Sequence, residues 1–423
     1  MRNSLKSEET GADFEADTRQ SVGVLKSALT ELLSSLPGGT TRGNEVAKSL
    51  GIERTLAWKI CKIVQETDPL AAIPFIPGRS GIAILLKAAK RRGVPERALR
   101  AVRDALHGID DLIATHAGDR ASLEIMASAC SRGQSAHIEL GHRRAAFQAN
   151  SFIWGAQART QFKAVLVRPA DDPQRLDFAA LRGLIDLRRL RSDVPWPVAR
   201  SRVADDADGI ARRPYPGEPL EDGPTEGTVV PFLRRFCSHP LPELRRVCRA
   251  HGFVDDELPP GPVGNTGAVT CVIGDVCRAA ASRYRDSHNR IGALIQPVHT
   301  PCEVLLLDQI IQEDTFGRIT PEMVVHSLLT TDAHAVTSPH DLPRLPVSGA
   351  VQYLGKGLAA MTTRDVPRYV EMAQYVFDRL GWETSRFDVY RLRIEYPPIP
   401  TLVVMRHPLP NPPAEAPLSG SEA

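Results

Sequence analysis

The sequence predicts an α+β protein. An all-α front, made of a helix, a tight-cornered helix pair and a helical extension, precedes a larger domain with a mixed, mainly antiparallel sheet. Three observations carry this. Apolar residues recur at helical spacing from Val22 to about Cys130. From about Phe147 onward, β-branched and aromatic runs bounded by proline and glycine take over. Those runs alternate with helical segments in irregular order, which favours antiparallel pairing over repeated βαβ units. A chain of 423 residues is long enough for two or three domains. The expected divisions are a polar, acidic and unfolded 1–20, a first helical domain at 21–78, a helical extension at 79–146, the α+β domain at 147–405 with a long surface loop at 203–227, and an unstructured tail at 406–423.

In chain order, the first helix places Val22, Leu25, Leu29, Leu32, Leu33 and Leu36 on one face and stops at Pro37-Gly38-Gly39. A helix from about Arg42 to Leu50 buries Val46, Ala47 and Leu50. A second, from about Glu53 to Gln65, buries Leu56, Ala57, Ile60, Cys61 and Val64. Gly51-Ile52 forms the corner: Gly51 takes positive φ, Ala47 supplies the small residue where the helices touch, and Ile52 plugs the angle between them. Prolines 69, 74 and 77 argue against a long hairpin next, leaving a short strand at Ala72–Ile76. Helices follow from about Ser80 to Arg92, from Pro95 in its first turn to before Gly118, and from an Asp119 cap to about Cys130. Lys87 to Arg103 holds seven basic residues and one acid, read as a solvated face. His116-Ala-Gly-Asp119-Arg120 is explained by a helix end, a cap and an exposed arginine.

In the second half, ANSFIWGA and QFKAVLVRP read as strands, Phe178 to Leu184 as a short helix, and Leu241 to His251 as another. Arg182, Arg188, Arg189 and Arg191 are expected to pair with Asp186 and Asp193. GAVTCVIGD, IGALIQPVH, CEVLLLDQI and DVYRLRIEYPP read as strands, and VPRYVEMAQYVFDRLGW as an amphipathic helix capped by Gly381.

The stretch Thr41 to Ile63, TRGNEVAKSLGIERTLAWKICKI, resembles the DNA-binding helix-turn-helix. Its polar side is basic: Arg42, Lys48, Arg54, Lys59 and Lys62 against Glu45 and Glu53, a local net charge of +3. Arg54, Thr55, Trp58, Lys59 and Lys62 lie away from the apolar stripe. The resemblance implies that the second helix enters the major groove, with Arg54, Thr55 and Lys59 at base edges and Thr41, Arg42 and Lys62 at phosphates. It covers about the first fifth of the chain. It implies double-stranded DNA as partner and a homo-oligomer matched to paired half-sites, with a small-molecule effector or self-association assigned to the C-terminal domain. An ordinary helical pair, a protein-interaction module, and an enzyme with its site in the C-terminal domain remain as alternatives.

The overall charge of +2 excludes a polycation, so nucleic-acid contact rests on local patches. No apolar run approaches the ~20 residues of a membrane span. The first twenty residues carry five acids and no apolar signal core, so a cytoplasmic protein is expected. Seven dispersed cysteines form no zinc pattern and read as reduced, buried thiols. Cys248 with His251, and His299 with Cys302, each offer two metal ligands but no set of four. Gly261-Pro-Val-Gly264-Asn-Thr-Gly267 precedes a strand and lacks a following Lys-Ser, so it is no phosphate loop. Asp286-Ser287-His288, Asp332-Ala333-His334 and His340-Asp341 are local clusters without triad weight, and His326, Asp332, His334 and His340 have no metal-site spacing. No catalytic residue, metal or cofactor is assigned.

Overall fold

The computed structural model describes residues 13–36, 42–131, 136–202, 217–221, 230–249, 253–287, 289–329 and 342–413. The chain forms two compact units, Met1–Glu139 and Leu140–Ala423. The first is helical and the second is built on sheets, an α+β architecture.

The helical unit begins with α1 (Phe14–Ser34). The Asp13 carboxylate caps it by accepting from the Glu15 amide at 3.0 Å. The helix therefore starts inside the stretch expected to be unfolded. Its polar first turns are anchored by side chains: Arg19 pairs with Asp68 at 3.3 Å, and His116 Nε2 lies 2.9 Å from Asp17. Then come α2 (Gly43–Leu50), α3 (Arg54–Gln65) and a short α4 (Pro69–Ala72) that runs into a 3-10 turn, Ile73–Phe75. That helical pair of turns replaces the strand expected at 72–76. Asp68 accepts from the Leu70 amide at 3.1 Å and Pro69 occupies the first turn, which together nucleate a helix. The unit continues with α5 (Arg79–Arg91), α6 (Glu96–Leu112) and α7 (Arg120–Cys130), the last capped by Asp119 accepting from the Ser122 amide at 2.8 Å. A single buried cluster joins them: Leu25, Leu29 and Leu32 of α1, Ile60 of α3, Leu85 of α5, Leu99 and Val102 of α6, and Leu123 of α7. No single helix among the described residues is long and apolar enough to cross a membrane.

The division between the units falls within α8 (Ala136–Trp154), which leads into β1 (Ala156–Pro169). There follow β2 (Arg175–Arg189), β3 (Trp196–Arg202), β4 (Glu218–Pro219), β5 (Arg245–Cys248), β6 (Phe253–Leu258), β7 (Val269–Ser282), β8 (Ile291–Val298), β9 (Cys302–Gln312), β10 (Glu322–Ser327), β11 (Arg344–Leu345) and β12 (Val351–Lys356). The chain then forms α9 (Tyr369–Leu380), β13 (Phe387–Glu395) and β14 (Thr401–Pro408). A seven-stranded sheet runs β12-β13-β9-β1-β2-β7-β4, a four-stranded sheet β11-β10-β14-β8, and a three-stranded sheet β3-β6-β5. β1 runs parallel to β9, from Ala158↔Cys302 to Val167↔Ile311, and the other ladders are antiparallel. α9 lays Tyr369, Met372, Ala373, Val376 and Phe377 into the core on one face of the large sheet. The four-stranded sheet covers the other: Leu305, Leu307 and Leu392 cluster with Leu294, Val325, Val403 and Met405. The outer edge of β8 is satisfied across this interface, because Lys163 Nζ donates to the Ile295 carbonyl at 2.9 Å and Gln161 Nε2 to that of Pro297 at 3.1 Å.

Several sequence expectations are corrected. ANSFIWGA is the end of α8, not a strand. Phe152, Ile153 and Trp154 are exposed, so their apolar character does not record strand burial, and Gly155 at φ 72° stops the helix. Phe178 to Leu184 belongs to β2, which lies between β1 and β7 and so lacks the alternation of a half-exposed strand. Leu241 to His251 contains β5 instead of a helix. Arg245 and Arg246 pair across to Glu257 and Asp256 of β6, and Arg249 reaches Asp255 and Glu257. β14 extends past 405 to Pro408. Within the expected 203–227 loop, Glu218–Pro219 pairs with β7, while 203–216 and 222–227 lie outside the described residues. The arginine partners also differ: Arg182 reaches Asp275 at 3.1 Å, Arg188 reaches Glu303 at 3.1 Å, and Arg189 donates to the carbonyls of Val194 and Pro259. Arg159 takes Asp186 at 2.7 Å, and Arg191 keeps Asp193 at 4.0 Å.

At the middle of the large sheet Asp308, wholly buried, receives two bonds from Arg391 at 2.8 and 2.7 Å and one from the Tyr369 hydroxyl at 2.8 Å. Arg391 also donates to the carbonyls of Met361 and Thr362, each at 2.9 Å. Removing the carboxylate strands a buried guanidinium. Asp308→Ala is therefore expected to lower unfolding free energy by about 3–5 kcal/mol, read by urea denaturation. His407 on β14 is buried with neither ring nitrogen hydrogen-bonded among the described residues, and burial pushes it down to about 4. The native state thus holds it neutral while the unfolded chain protonates it near pH 6.5, so acid favours unfolding. Stability from this group is complete above pH 6.5 and falls on the order of 3 kcal/mol toward pH 4. His407→Phe should flatten that segment of the Tm–pH profile.

Candidate nucleic-acid interface

The basic stretch lies on α2, its corner and α3. Gly51 sits at φ 67°, ψ 40°, the left-handed region that a side chain resists. Its amide donates to the Ala47 carbonyl at 2.8 Å, and the Ile52 amide donates to the same oxygen at 3.1 Å. This double use of one carbonyl turns the chain sharply into α3. Val46, Ala47 and Leu50 of α2 and Ala57, Ile60, Cys61 and Ile63 of α3 are buried, with Ile52, Leu56 and Val64 packed at the margin. Ile63, absent from the stripe read in the sequence, replaces Leu56 and Val64 among the fully covered positions.

The helices approach most closely where sequence reasoning did not look. A Cβ on Gly43 would stand 3.3 Å from the Trp58 Cα, so the first residue of α2 admits the backbone of α3 only because it is glycine. Ala47, the expected contact, is buried a turn later. The signal available was a glycine at a helix start, where glycine has no propensity advantage.

Arg54, Thr55 and Lys59 are exposed on the outer side of α3. Trp58 is 49 % exposed, and its ring meets Phe75 edge-on at 5.4 Å between centroids. The indole is therefore held on one edge and open on the other. Lys62 is half-buried at the end of the helix. Arg42 is exposed and lies 3.5 Å from Glu45, a surface pair of little strength. Thr41 lies outside the described residues. Among the described residues, no ion pair engages Arg54, Lys59 or Lys62. The exposed side of α3 thus keeps uncompensated positive charge, and the partial positive charge of the helix N-terminus near Arg54 adds to it. The Cys61 thiol beneath is pushed up by burial, as expected of a packing residue.

A second basic surface follows in the same unit. Lys87, Lys90, Arg91, Arg92, Arg97, Arg100 and Arg103 are all exposed. Arg103 pairs with Glu96 at 2.9 Å and Arg97 with Glu31 at 3.7 Å. His116-Ala-Gly-Asp119-Arg120 does structural work, with His116 on Asp17, Asp119 as cap, and a half-buried Arg120 on Glu124 at 3.0 Å.

In the sheet unit, a cleft of about 290 Å³ is lined by Arg159, Glu303, Val304, Arg364, Asp365, Arg393, Glu395 and Tyr396. Its charges are largely spent on one another, Arg393 with Asp365 at 2.8 Å and with Glu395 at 2.7 Å. No group of three metal-ligating side chains occurs among the described residues. His326 is buried, Nδ1 3.0 Å from the Leu342 carbonyl oxygen, and Asp332, His334, His340, His251 and His288 lie outside the described residues. Gly264–Gly267 forms a 3-10 turn before β7. All seven cysteines are unpaired. Burial pushes the Cys302 thiol up to about 12 and Cys237 to about 11, which keeps both protonated.

Comparison with protein families, curated proteins and solved structures gives no match.

The corner is the point where the geometry is most exposed to a single change. Gly51→Ala is expected to cost about 1–2 kcal/mol, the penalty of a left-handed residue, measured as a lowered urea midpoint of the helical unit's transition.

Proposed function

We propose that this chain is a DNA-binding transcriptional regulator of the helix-turn-helix kind, with its sheet unit serving ligand sensing or self-association. One observation carries the reading. α3 is buried along one side and presents Arg54, Thr55, Trp58 and Lys59 along the other, with no acidic partner for either cation among the described residues. A cylinder of this width fits the major groove of a duplex. Thr55 and the two cations are side chains able to address base edges, while Arg42 and Lys62 flank them at phosphate distance along the chain. Trp58, braced by Phe75, supplies a stiff apolar surface between them. The process is equilibrium binding, with a cytoplasmic setting and a two-fold oligomer read from the same resemblance.

Arg54→Ala with Lys59→Ala is expected to weaken duplex binding by about 30-fold or more, the scale of two lost charged contacts, in fluorescence anisotropy on a labelled duplex. Both residues are exposed, so the melting temperature should stay unchanged. Wild-type affinity should also fall steeply between about 50 and 200 mM salt, and the variant's log–log salt slope should be shallower. Equal binding by wild type and double variant removes α3 as the reader.

A further inference from the structure

The end of α8 carries a concentration of apolar surface that no part of the sheet unit's own packing uses. Phe152 is 78 % exposed, Ile153 59 % and Trp154 54 %. Leu190 stands beside them, because its amide donates to the carbonyl of Gly155 at 2.8 Å, and Val263 is bridged to the adjacent Arg189. Five of the eleven exposed large apolar residues among those described therefore gather at one end of the β1–β2 ladder. Scattered apolar residues on a surface need no explanation, but a contiguous patch of this kind marks an interaction site.

We infer that this patch is a two-fold interface between two copies of the chain, centred on α8. Two arguments select a second copy. The first is area. The exposed fractions correspond to ~500 Å² of apolar side chain on one copy, so that a symmetric pair buries ~1,000 Å², the size at which a specific interface becomes stable. The second is self-complementarity along the helix. Ala145, Ala149, Phe152 and Ile153 are exposed at the spacing of one helical face. Phe152 lies seven residues from Ala145, about 10 Å along the axis. When two such helices cross antiparallel near Ala149, the Phe152 ring of each copy comes opposite the small Ala145 of the other, large against small. A two-fold axis repeats that fit twice, which is the condition an isologous contact must meet. The opposite side of α8 is already engaged within the unit: Phe147 packs on Tyr396 at 5.2 Å between ring centroids, and Ser151 is buried. The outward side is what remains for a partner.

The inference rests on the reading of the sheet unit as a self-association unit and is independent of duplex binding. Sedimentation equilibrium of the full chain, without DNA, over a concentration series tests it. The expected result is a monomer–dimer equilibrium that Phe152→Glu weakens by about 30-fold or more, the effect of placing a charge at a buried aromatic anchor. The melting temperature of monomeric variant is expected to match that of wild type. Ala149→Arg, at the crossing point, should weaken the dimer similarly without touching the aromatic cluster. A wild type that stays monomeric throughout the series overturns the inference, as does a dimer that both variants leave intact. Either failure leaves the Arg54 and Lys59 result free to stand or fall separately.

Discussion

Burial of one side of α3 fixes what its other side is able to do. Ala57, Ile60, Cys61 and Ile63 are locked into a cluster shared with α1, α5 and α6, so the helix has no freedom to roll. Rolling by a single residue step would turn Arg54 or Lys59 toward apolar surface, where an unpaired cation is costly. The charged side is thus held outward by the apolar one. The corner at Gly51 and the close approach at Gly43 set where α3 begins and how near it lies to α2. A recognition surface built this way is preorganised, and little ordering remains to be done at the moment of binding.

The sheet unit handles charge in the opposite manner. Its carboxylates are drawn inward and neutralised there. Asp255, Asp256 and Glu257 lie together on β6 under Arg200, Arg245, Arg246 and Arg249, while Asp308 lies under Arg391. The Arg200 guanidinium, with Arg249, holds the Asp255 carboxyl below its ordinary range. Buried pairs of this kind add less to stability than their number suggests, but they make each strand's partner specific, because a slipped register would leave a buried charge alone. Arginine content that looks in sequence like a nucleic-acid signal is here consumed by the fold. The contrast with α3 and with the run from Lys87 to Arg103 gives those basic surfaces their meaning: their charge is mostly left over.

The two inferred surfaces divide the work of a regulator between the units. α3 offers charge to a duplex, and the end of α8 offers apolar area to another copy. Electrostatic contact with phosphates sets rate and salt dependence, whereas apolar burial between copies does neither. Pairing of two readers raises the effective concentration of the second once the first is bound.

Much of this was legible in the residues themselves. The stripes of α1, α5, α6 and α9, the glycine corner at Gly51, the Asp119 cap, the Gly381 stop and the strands β7, β8, β9 and β13 all follow from signals that act over a few neighbouring residues. Exposure of Arg54, Thr55, Trp58 and Lys59 followed from the same periodicity. Long-range structure decided the rest. β2 is a strand because β1 and β7 cover it on both sides, β5 is one because β6 brings carboxylates opposite its arginines, and α8 keeps its apolar end in the open. Arg182 and Arg188 find Asp275 and Glu303, far along the chain, instead of the nearby Asp186 and Asp193. Local backbone preference is written in adjacent residues, but the partner of a charge and the cover on a strand are chosen by segments that meet only once the chain has folded.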